Sequence, residues 1–307
     1  MKSFLYAGIE IGGTKLQMVV GNSDGLIIDK RRFNVDKSSG ADGIRRTIEA
    51  HLPELIRHKE VRKIAVGFGG PVDWRNGKIC RSHQIEGWSD FDIARWLKSI
   101  TGIDVVVEND ANTGALGEAI CGNGRGFNPV FFVTLGSGVG GGLVVDGGIY
   151  HGDLPGECEI GHVRLDKSGT IVESRCSGWA VDRKIRNAIN SGADTLLKNL
   201  VGDSSGGEAR FLKPAIEEND KVAIQILNEV ADDLAYTFSH VTHLLHPQVI
   251  VLGGGLSNLG SVLSDEISNR LPNYVMEAFK PTPSIKIAGL GEDTIPVGAL
   301  ILASRNS

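Results

Sequence analysis

The run Val107-Glu108-Asn109-Asp110-Ala111-Asn112 places an amide and a carboxylate side by side at the end of an apolar stretch, Val105-Val106-Val107. That stretch reads as a buried strand, and Ala115-Leu116-Gly117-Glu118-Ala119 reads as the helix after it. In α/β proteins, chemistry gathers where strand ends meet helix starts. A carboxylate there can act as a general base toward a hydroxyl. A helix cap formed by Asp110 or Asn112 would account for the same residues without any chemistry.

Two glycine turns tip the reading toward chemistry. The first is Ile9-Glu10-Ile11-Gly12-Gly13-Thr14-Lys15-Leu16, which reads as strand, tight turn, strand. Gly12 and Gly13 leave no Cβ to block a ligand. Thr14 offers a hydroxyl, and Lys15 offers a positive charge to a phosphate or, alternatively, a solvated hairpin charge. The second runs from Thr134 through Gly136, Ser137, Gly138 and Gly140, again between apolar strands. Consecutive backbone N–H groups in such turns form concave anion sites. One glycine hairpin is weak evidence; two with the same plan suggest a duplicated phosphate clamp. A third cluster, Gly253-Gly254-Gly255, follows the strand-like Val249-Ile250-Val251-Leu252, with Ser257 or Asn258 placed to cap the next helix. The alternative for this cluster is a close strand–helix crossing. None of the three fits a Walker loop or a strand-to-helix dinucleotide fingerprint.

Taken in order, these segments resemble the ROK family of bacterial sugar kinases, within the actin-like ATPase superfamily. Glu10 to Lys15 resembles the first phosphate loop, which often carries Asp where Glu10 stands. Gly67-Phe68-Gly69-Gly70-Pro71-Val72-Asp73 resembles the G-x-x-G-P-V-D connector, and Glu108 to Asn112 the catalytic strand end. Thr134 to Gly142 resembles the second phosphate loop, Glu159-Ile160-Gly161-His162 the E-x-G-H motif, and Gly253 to Gly255 the adenosine-side turn. The likeness covers nearly the whole chain.

Two departures stand out. Many family members join the His of E-x-G-H to three cysteines of a C-x-C-G-x-x-G-C-x-E segment around zinc. Here the glutamate survives as Glu173, but Cys176 lies beyond it and Cys158 precedes His162. A structural zinc site needs four N or S ligands, so no zinc site is expected. Many members also carry Asn-Leu-x-Gly-Trp over the sugar, whereas this chain has Gln84-Ile85-Glu86-Gly87-Trp88. The identity of the sugar therefore transfers less well than the chemistry.

The resemblance implies an α/β fold of two actin-like (ribonuclease H-like) domains around a central cleft. The first is expected over residues 1–121, completed by a C-terminal helix over 295–307, and the second over 122–294. The implied reaction is ATP-dependent phosphorylation of a hexose hydroxyl, most simply of glucokinase type, with Asp110 as base. A fructose or N-acetylhexosamine kinase, or a catalytically silent sugar-binding regulator, are the alternatives. Gly70, Gln84, Asn109, Asp110, Glu159, His162 and Glu173 are expected on the sugar. Gly12, Gly13, Thr14, Lys15, Thr134, Gly136, Ser137, Gly138, Gly140, Gly254 and Gly255 are expected on ATP, and Glu10 on Mg²⁺ through water. For Glu10, the alternative is a strand carboxylate facing solvent. His151, His240, His243 and His246 have no partner spacing that assigns them a role.

The elements that must carry these residues follow from hydrophobic period. Residues 4–33 read as a three-strand meander, and Ile44 to His58 as a helix that Pro53 kinks or restarts. Residues 63–68 and 104–108 read as strands, 91–101 as an amphipathic helix, and 130–151 as a second hairpin. Lys221–Leu245 reads as a long helix, with Ile224, Leu227, Val230, Leu234, Phe238 and Val241 at 3–4 spacing. Helices over 181–190 and 297–304 and a strand over 284–288 complete the pattern. Glycines at 122, 124 and 126 suit a hinge.

Whole-chain values exclude several classes. The chain has 307 residues, 41% of them hydrophobic, and a net charge of −5, so nucleic acid is not an expected partner. Glycine numbers 41, well above the usual ~7%, and clusters in turns rather than in low-complexity sequence. The four cysteines have no C-x-x-C spacing, which suits free thiols in a reducing cytoplasm. No signal peptide is visible, and no apolar run reaches the roughly 18 residues of a membrane span. With a strand expected from near residue 4, the N-terminal helix-turn-helix of the family's repressors is not expected. A homodimer is expected.

Overall fold

The apolar alternation of the first segment builds a meander. β1 (Leu5–Ile11) pairs antiparallel with β2 (Lys15–Asn22), and β2 with β3 (Ile27–Asn34). This computed structural model describes residues 4–82, 85–154, 156 and 158–305. α1 (Gly40–Ile56) buries Ile44, Ile48, Leu52 and Leu55 along one side. Pro53 lies inside it without ending it. The helix does not restart there, because the proline sits in the last turn, where little helix remains to be interrupted. β4 (Val61–Phe68) follows, then the short hairpin of β5 (Val72–Asp73) and β6 (Lys78–Ile79). α2 (Ile93–Thr101) is capped by Asp92, whose side chain accepts from the Arg95 N–H, and closes on a left-handed Gly102. β7 (Asp104–Asn109) leads directly into α3 (Asp110–Ile120).

The first sheet has the order β3-β2-β1-β4-β7. Alternate residues of β1 face opposite sides. Ala7, Ile9 and Ile11 join Ile48, Leu52, Phe68, Trp88 and Leu97 in one core. Tyr6 faces the other way, with Val19 and Ala65, against Ala299, Leu300 and Ala303 of the last helix, α10 (Thr294–Arg305).

The second sheet has the order β10-β9-β8-β11-β12. Its strands are β8 (Val130–Leu135), β9 (Val139–Val145), β10 (Gly148–Ile149), β11 (Val249–Gly253) and β12 (Ser284–Ile287), with β11 parallel to both β8 and β12. Between β10 and β12 lie α4 (Val172–Cys176), α5 (Gly178–Asn190), α6 (Leu197–Val201), α7 (Leu212–Glu217), α8 (Lys221–Leu245) and α9 (Ser261–Arg270). α8 starts on an Asp220 cap and stops on a left-handed His246. Ser257 and Asn258 do not cap the helix after β11. A 3₁₀ turn over Gly255–Leu259 intervenes, Gly260 takes the cap position, and the Ser257 hydroxyl donates back to the Gly254 carbonyl at 2.7 Å.

The chain divides into two units. The first runs to Gly126, takes in a segment from Gly142, and resumes from Gly289; the second holds Phe127–Gly141 and Cys158–Ala288. In the first unit, α3 and α10 cross at very close range. A Cβ on Gly298 would come within 1.8 Å of the Thr113 carbonyl oxygen. At the end of α3, the fully buried Glu118 accepts from Asn123 N–H, Gly289 N–H, Leu290 N–H and the Thr294 hydroxyl at 2.9–3.0 Å. One carboxylate thus ties the segment that follows α3 and the segment that enters α10 to the helix that bears Asp110.

Candidate active site

In the first unit, three motifs meet because β1, β4 and β7 are parallel neighbours whose last residues stand in register. Ile11 pairs with Phe68, and Phe68 with Asn109. Gly12, Gly69 and Asp110, each one residue further on, share the carboxyl edge of the sheet, where ligands of open α/β sheets bind. The Gly69 N–H donates to Ile11 O at 2.9 Å, and the Gly12 N–H to Lys15 O at 2.9 Å. A Cβ on Gly69 would stand 3.3 Å from Asp110 Oδ2 and 3.6 Å from Gly12 Cα. The proposed base, the connector and the first glycine turn are therefore immediate neighbours.

Neither Asp110 nor Asn112 is the helix cap. Asn109 is, through Oδ1, which accepts from the Ala111 and Asn112 N–H groups. Its Nδ2 donates to the Gly70 carbonyl at 3.2 Å, which leaves one amide hydrogen for a ligand. Asp110 opens the helix; Oδ1 accepts from Ala111 N–H at 2.8 Å, and Oδ2 points toward Gly69.

Glu10 does not face solvent as a strand carboxylate would: it is 5% exposed. Gln17, its cross-strand partner, donates to Oε2 at 2.7 Å, and Lys15 Nζ lies 3.2 Å from Oε1. Burial pushes the Glu10 carboxyl up, against the opposing pull of the Lys15 charge and the Gln17 bond. Lys15 is thus an ion-pair partner placed at the end of the turn. Gly13 and the exposed Thr14 form the turn itself.

In the second unit, the other glycine turn is built at the paired ends of β8 and β11, where Thr134 stands opposite Gly253. Gly136 N–H bonds to Gly138 O at 3.0 Å, and a Cβ on Gly136 would meet nothing within 4 Å. That open face suits a ligand, and the neighbouring Ser137 and Gly140 are half-buried. Gly178 N–H, at the start of α5, donates to Gly136 O at 2.7 Å. Gly254 holds φ +80°, and a Cβ there would lie 2.6 Å from the Leu135 backbone. The third glycine cluster is therefore a close strand–strand approach, beyond which Gly255 again faces open space.

The E-x-G-H segment folds as a 3₁₀ turn over Ile160–His162 that seats on β9; a Cβ on Gly161 would come within 2.2 Å of Val139 O. Glu159 and His162 are left exposed on either side of it. Glu173 Oε2 accepts from Val139 N–H at 2.9 Å, so this residue reaches the glycine turn. Gln84 lies outside the described residues. Cys176 is fully buried within α4, where burial pushes its thiol up and Sγ sits 4.0 Å from Val230 O.

Sequence reasoning missed one pair near Asp110. Glu108 Oε2 lies 2.6 Å from His151 Nε2. No spacing signal could have joined residues 43 positions apart.

The donor sets can be weighed against ATP and Mg²⁺. Glycine faces that a Cβ would fill, at Gly136 and Gly255, fit a phosphate-bearing ligand. Mg²⁺ takes few protein carboxylates alongside substrate phosphates. Glu10, engaged by Gln17 and Lys15, fits only an outer role through water.

The ROK family profile matches residues 6–306. The glucokinase of Thermotoga maritima is 29% identical over 300 residues, 95% of each chain. That of Halalkalibacterium halodurans is 30% identical over 319 residues, covering 98% of this chain and 96% of its own. The structure of a ROK family glucokinase from Streptomyces griseus, in complex with glucose and AMPPNP, superposes with a TM-score of 0.87 at 28% identity, covering 98% of this chain and 99% of that one. The α/β architecture is accordingly the actin-like fold of those kinases. With its motifs in the same order from Glu10 to Gly255, the chain belongs to the ROK family.

Proposed function

We propose that this protein is an ATP-dependent sugar kinase that phosphorylates a hexose hydroxyl, of glucokinase type. The observation that carries the reading is the Asp110 carboxylate at the shared edge of β1, β4 and β7, beside Gly69 and the first glycine turn. The glucokinases to which the chain is similar over nearly its full length add support.

The Asp110 carboxylate takes the proton of the attacking hydroxyl. The remaining Asn109 amide hydrogen and the Gly70 backbone orient the sugar beside it. Glu159, His162 and Glu173 supply further acceptors and donors for hydroxyls, and Gln84 completes the set. The glycine turns at Gly12-Gly13 and Gly136 to Gly140, with Thr14, Lys15, Thr134 and Ser137, hold the nucleotide phosphates, and Gly254-Gly255 its adenosine side. When bound, ATP supplies the phosphoryl group and Mg²⁺ neutralises its charge, with Glu10 ordering a metal water. Each domain contributes residues to both sets, with the first domain over residues 1–121 and 295–307 and the second over 122–294.

Coupled ADP-release assays over a panel of hexoses test the reading. Glucose should give the highest kcat/KM, and Asp110→Asn should lower kcat by about 10²–10⁴ while sugar still binds. No ADP release with any hexose would point to a sugar-binding regulator. Fructose or an N-acetylhexosamine as preferred substrate would make it a kinase of another hexose. Near-normal turnover in Asp110→Asn would refute the base.

The four free cysteines support a reducing cytoplasm. Exposed Tyr236, Leu244, Leu245 and Met276, near the end of α8, support a homodimer, which sedimentation at low concentration would test.

A further inference from the structure

Glu108 is 3% exposed, yet its carboxylate is fully engaged. Oε1 accepts from the Asn109 N–H at 2.8 Å and from Asn112 Nδ2 at 3.1 Å; Oε2 faces His151 Nε2 at 2.6 Å. β7 is the edge strand of its sheet, so the Asn109 N–H at its end has no further strand to pair with. The carboxylate satisfies it from the strand's own side chain. Glu108 therefore holds the turn on one side of Asp110, and Asn109 holds it on the other through the Ala111 and Asn112 N–H groups.

His151 is fixed in its turn. Its ring stacks on Trp74, with centroids 4.1 Å apart and planes at 20°. Trp74 follows β5 and the Gly69-Gly70-Pro71 connector, whose backbone meets Asp110 and Asn109. One imidazole thus joins the two chain segments that flank the proposed base. A carboxylate this buried is stabilised only while its partners stay in place, and removing one strands the charge.

We infer that Glu108 and His151 form a positioning pair that holds Asp110 in its reactive place, with Trp74 setting the imidazole plane. The inference rests on Asp110 being the base. Neither residue touches the reacting atoms; both act through the β7–α3 turn.

The experiment compares kcat and sugar KM for His151→Ala, His151→Gln, Glu108→Gln and the His151→Ala/Glu108→Gln double variant, with Asp110→Asn alongside. His151→Ala should lower kcat by about tenfold or more, with sugar KM moving by less than about threefold, since the turn and not the sugar site is disturbed. Glutamine at 151 keeps a hydrogen-bond donor toward Oε2 and should restore much of the rate. Adding Glu108→Gln to His151→Ala removes the stranded charge, so the double variant should be no slower than His151→Ala alone. The pair is overturned if His151→Ala keeps kcat within about twofold while Asp110→Asn is inactive, or if the two losses add. It is also overturned if KM rises with kcat unchanged. Should His151→Ala not fold, His151→Leu, which fills the space of the ring but removes its nitrogen from Glu108, is read by the same criteria. If Asp110→Asn keeps near-normal turnover, the base assignment has failed, and the positioning claim fails with it.

Discussion

Glu173 and Gly138 are fitted to each other: a Cβ on Gly138 would come within 2.5 Å of Glu173 Oε2, the oxygen that accepts the Val139 N–H at 2.9 Å. Glu173 thereby braces the second glycine turn. A residue expected on the sugar also shapes the neighbouring turn, and the space it fills accounts for glycine at 138.

Glu173→Ala should therefore raise the KM for ATP as well as that for sugar. Losing one charge-assisted hydrogen bond, worth about 1.5–3 kcal/mol, corresponds to about tenfold or more. Gly138→Ala should raise the KM for ATP in the same direction, because its Cβ displaces the glutamate. Steady-state kinetics with each substrate varied would check this. An unchanged ATP KM in both variants would remove the turn from Glu173's tasks.

Glu159→Gln should weaken sugar binding and spare ATP. Glu159 is exposed beside the 3₁₀ turn over Ile160–His162, in which Gly161 seats on β9. A carboxylate accepts hydroxyl hydrogen bonds at both oxygens, whereas the amide turns one position into a donor. Sugar Kd should rise by about ten- to a hundredfold. Calorimetric titration of each ligand separately decides it; equal losses for both would assign Glu159 to the fold.

Gly298→Ala should destabilise the protein markedly. The Cβ it adds would lie 1.8 Å from Thr113 O and 3.1 Å from Gly117 N. The atoms in its way are helix backbone, which cannot rotate aside, so α10 must lift from α3. Overpacking of this sort costs about 1–3 kcal/mol or more. Urea denaturation would show it as a lowered midpoint; a midpoint unchanged from wild type would mean that the helices part freely.

Asp220 should make the stability of α8 depend on acid pH. Burial raises its carboxyl, but bonds from the Ala223 N–H, the Leu196 N–H and the Thr195 hydroxyl outweigh it and hold the group below its ordinary 3.8. A carboxylate lowered on folding contributes stability that is present above 3.8 and is lost as pH falls through the lower folded value. Asp220→Ala should thus cost about 0.5–2 kcal/mol at neutral pH. The gap from wild type should narrow as pH drops below 3.8. Denaturation midpoints of both proteins across that range would check it, and a gap constant with pH would contradict it.

The sequence by itself determined what depends on neighbours along the chain. α8 was legible to both ends, Lys221–Leu245, because 3–4 spacing of apolar residues is a local signal. The glycine turns were legible because their need for absent side chains is written in the residues. So was the Asn109-Asp110 strand end, although its cap was misassigned: Asn, Asp and Ser are near-equivalent caps, and only geometry shows that Asn109 Oδ1 reaches the first N–H groups of the helix. The 3₁₀ turn after β11 gave no periodic signal, being too short to repeat one. Tertiary structure alone decided how the parts meet. The register Ile11–Phe68–Asn109 brings three distant motifs to one edge, and a shift by one residue would have turned their side chains to opposite faces. The partners of Glu10, Glu108 and Glu118 were likewise hidden, since a buried carboxylate is satisfied by whichever donors packing delivers: a cross-strand glutamine, a distant imidazole, or backbone N–H groups from the chain's far end.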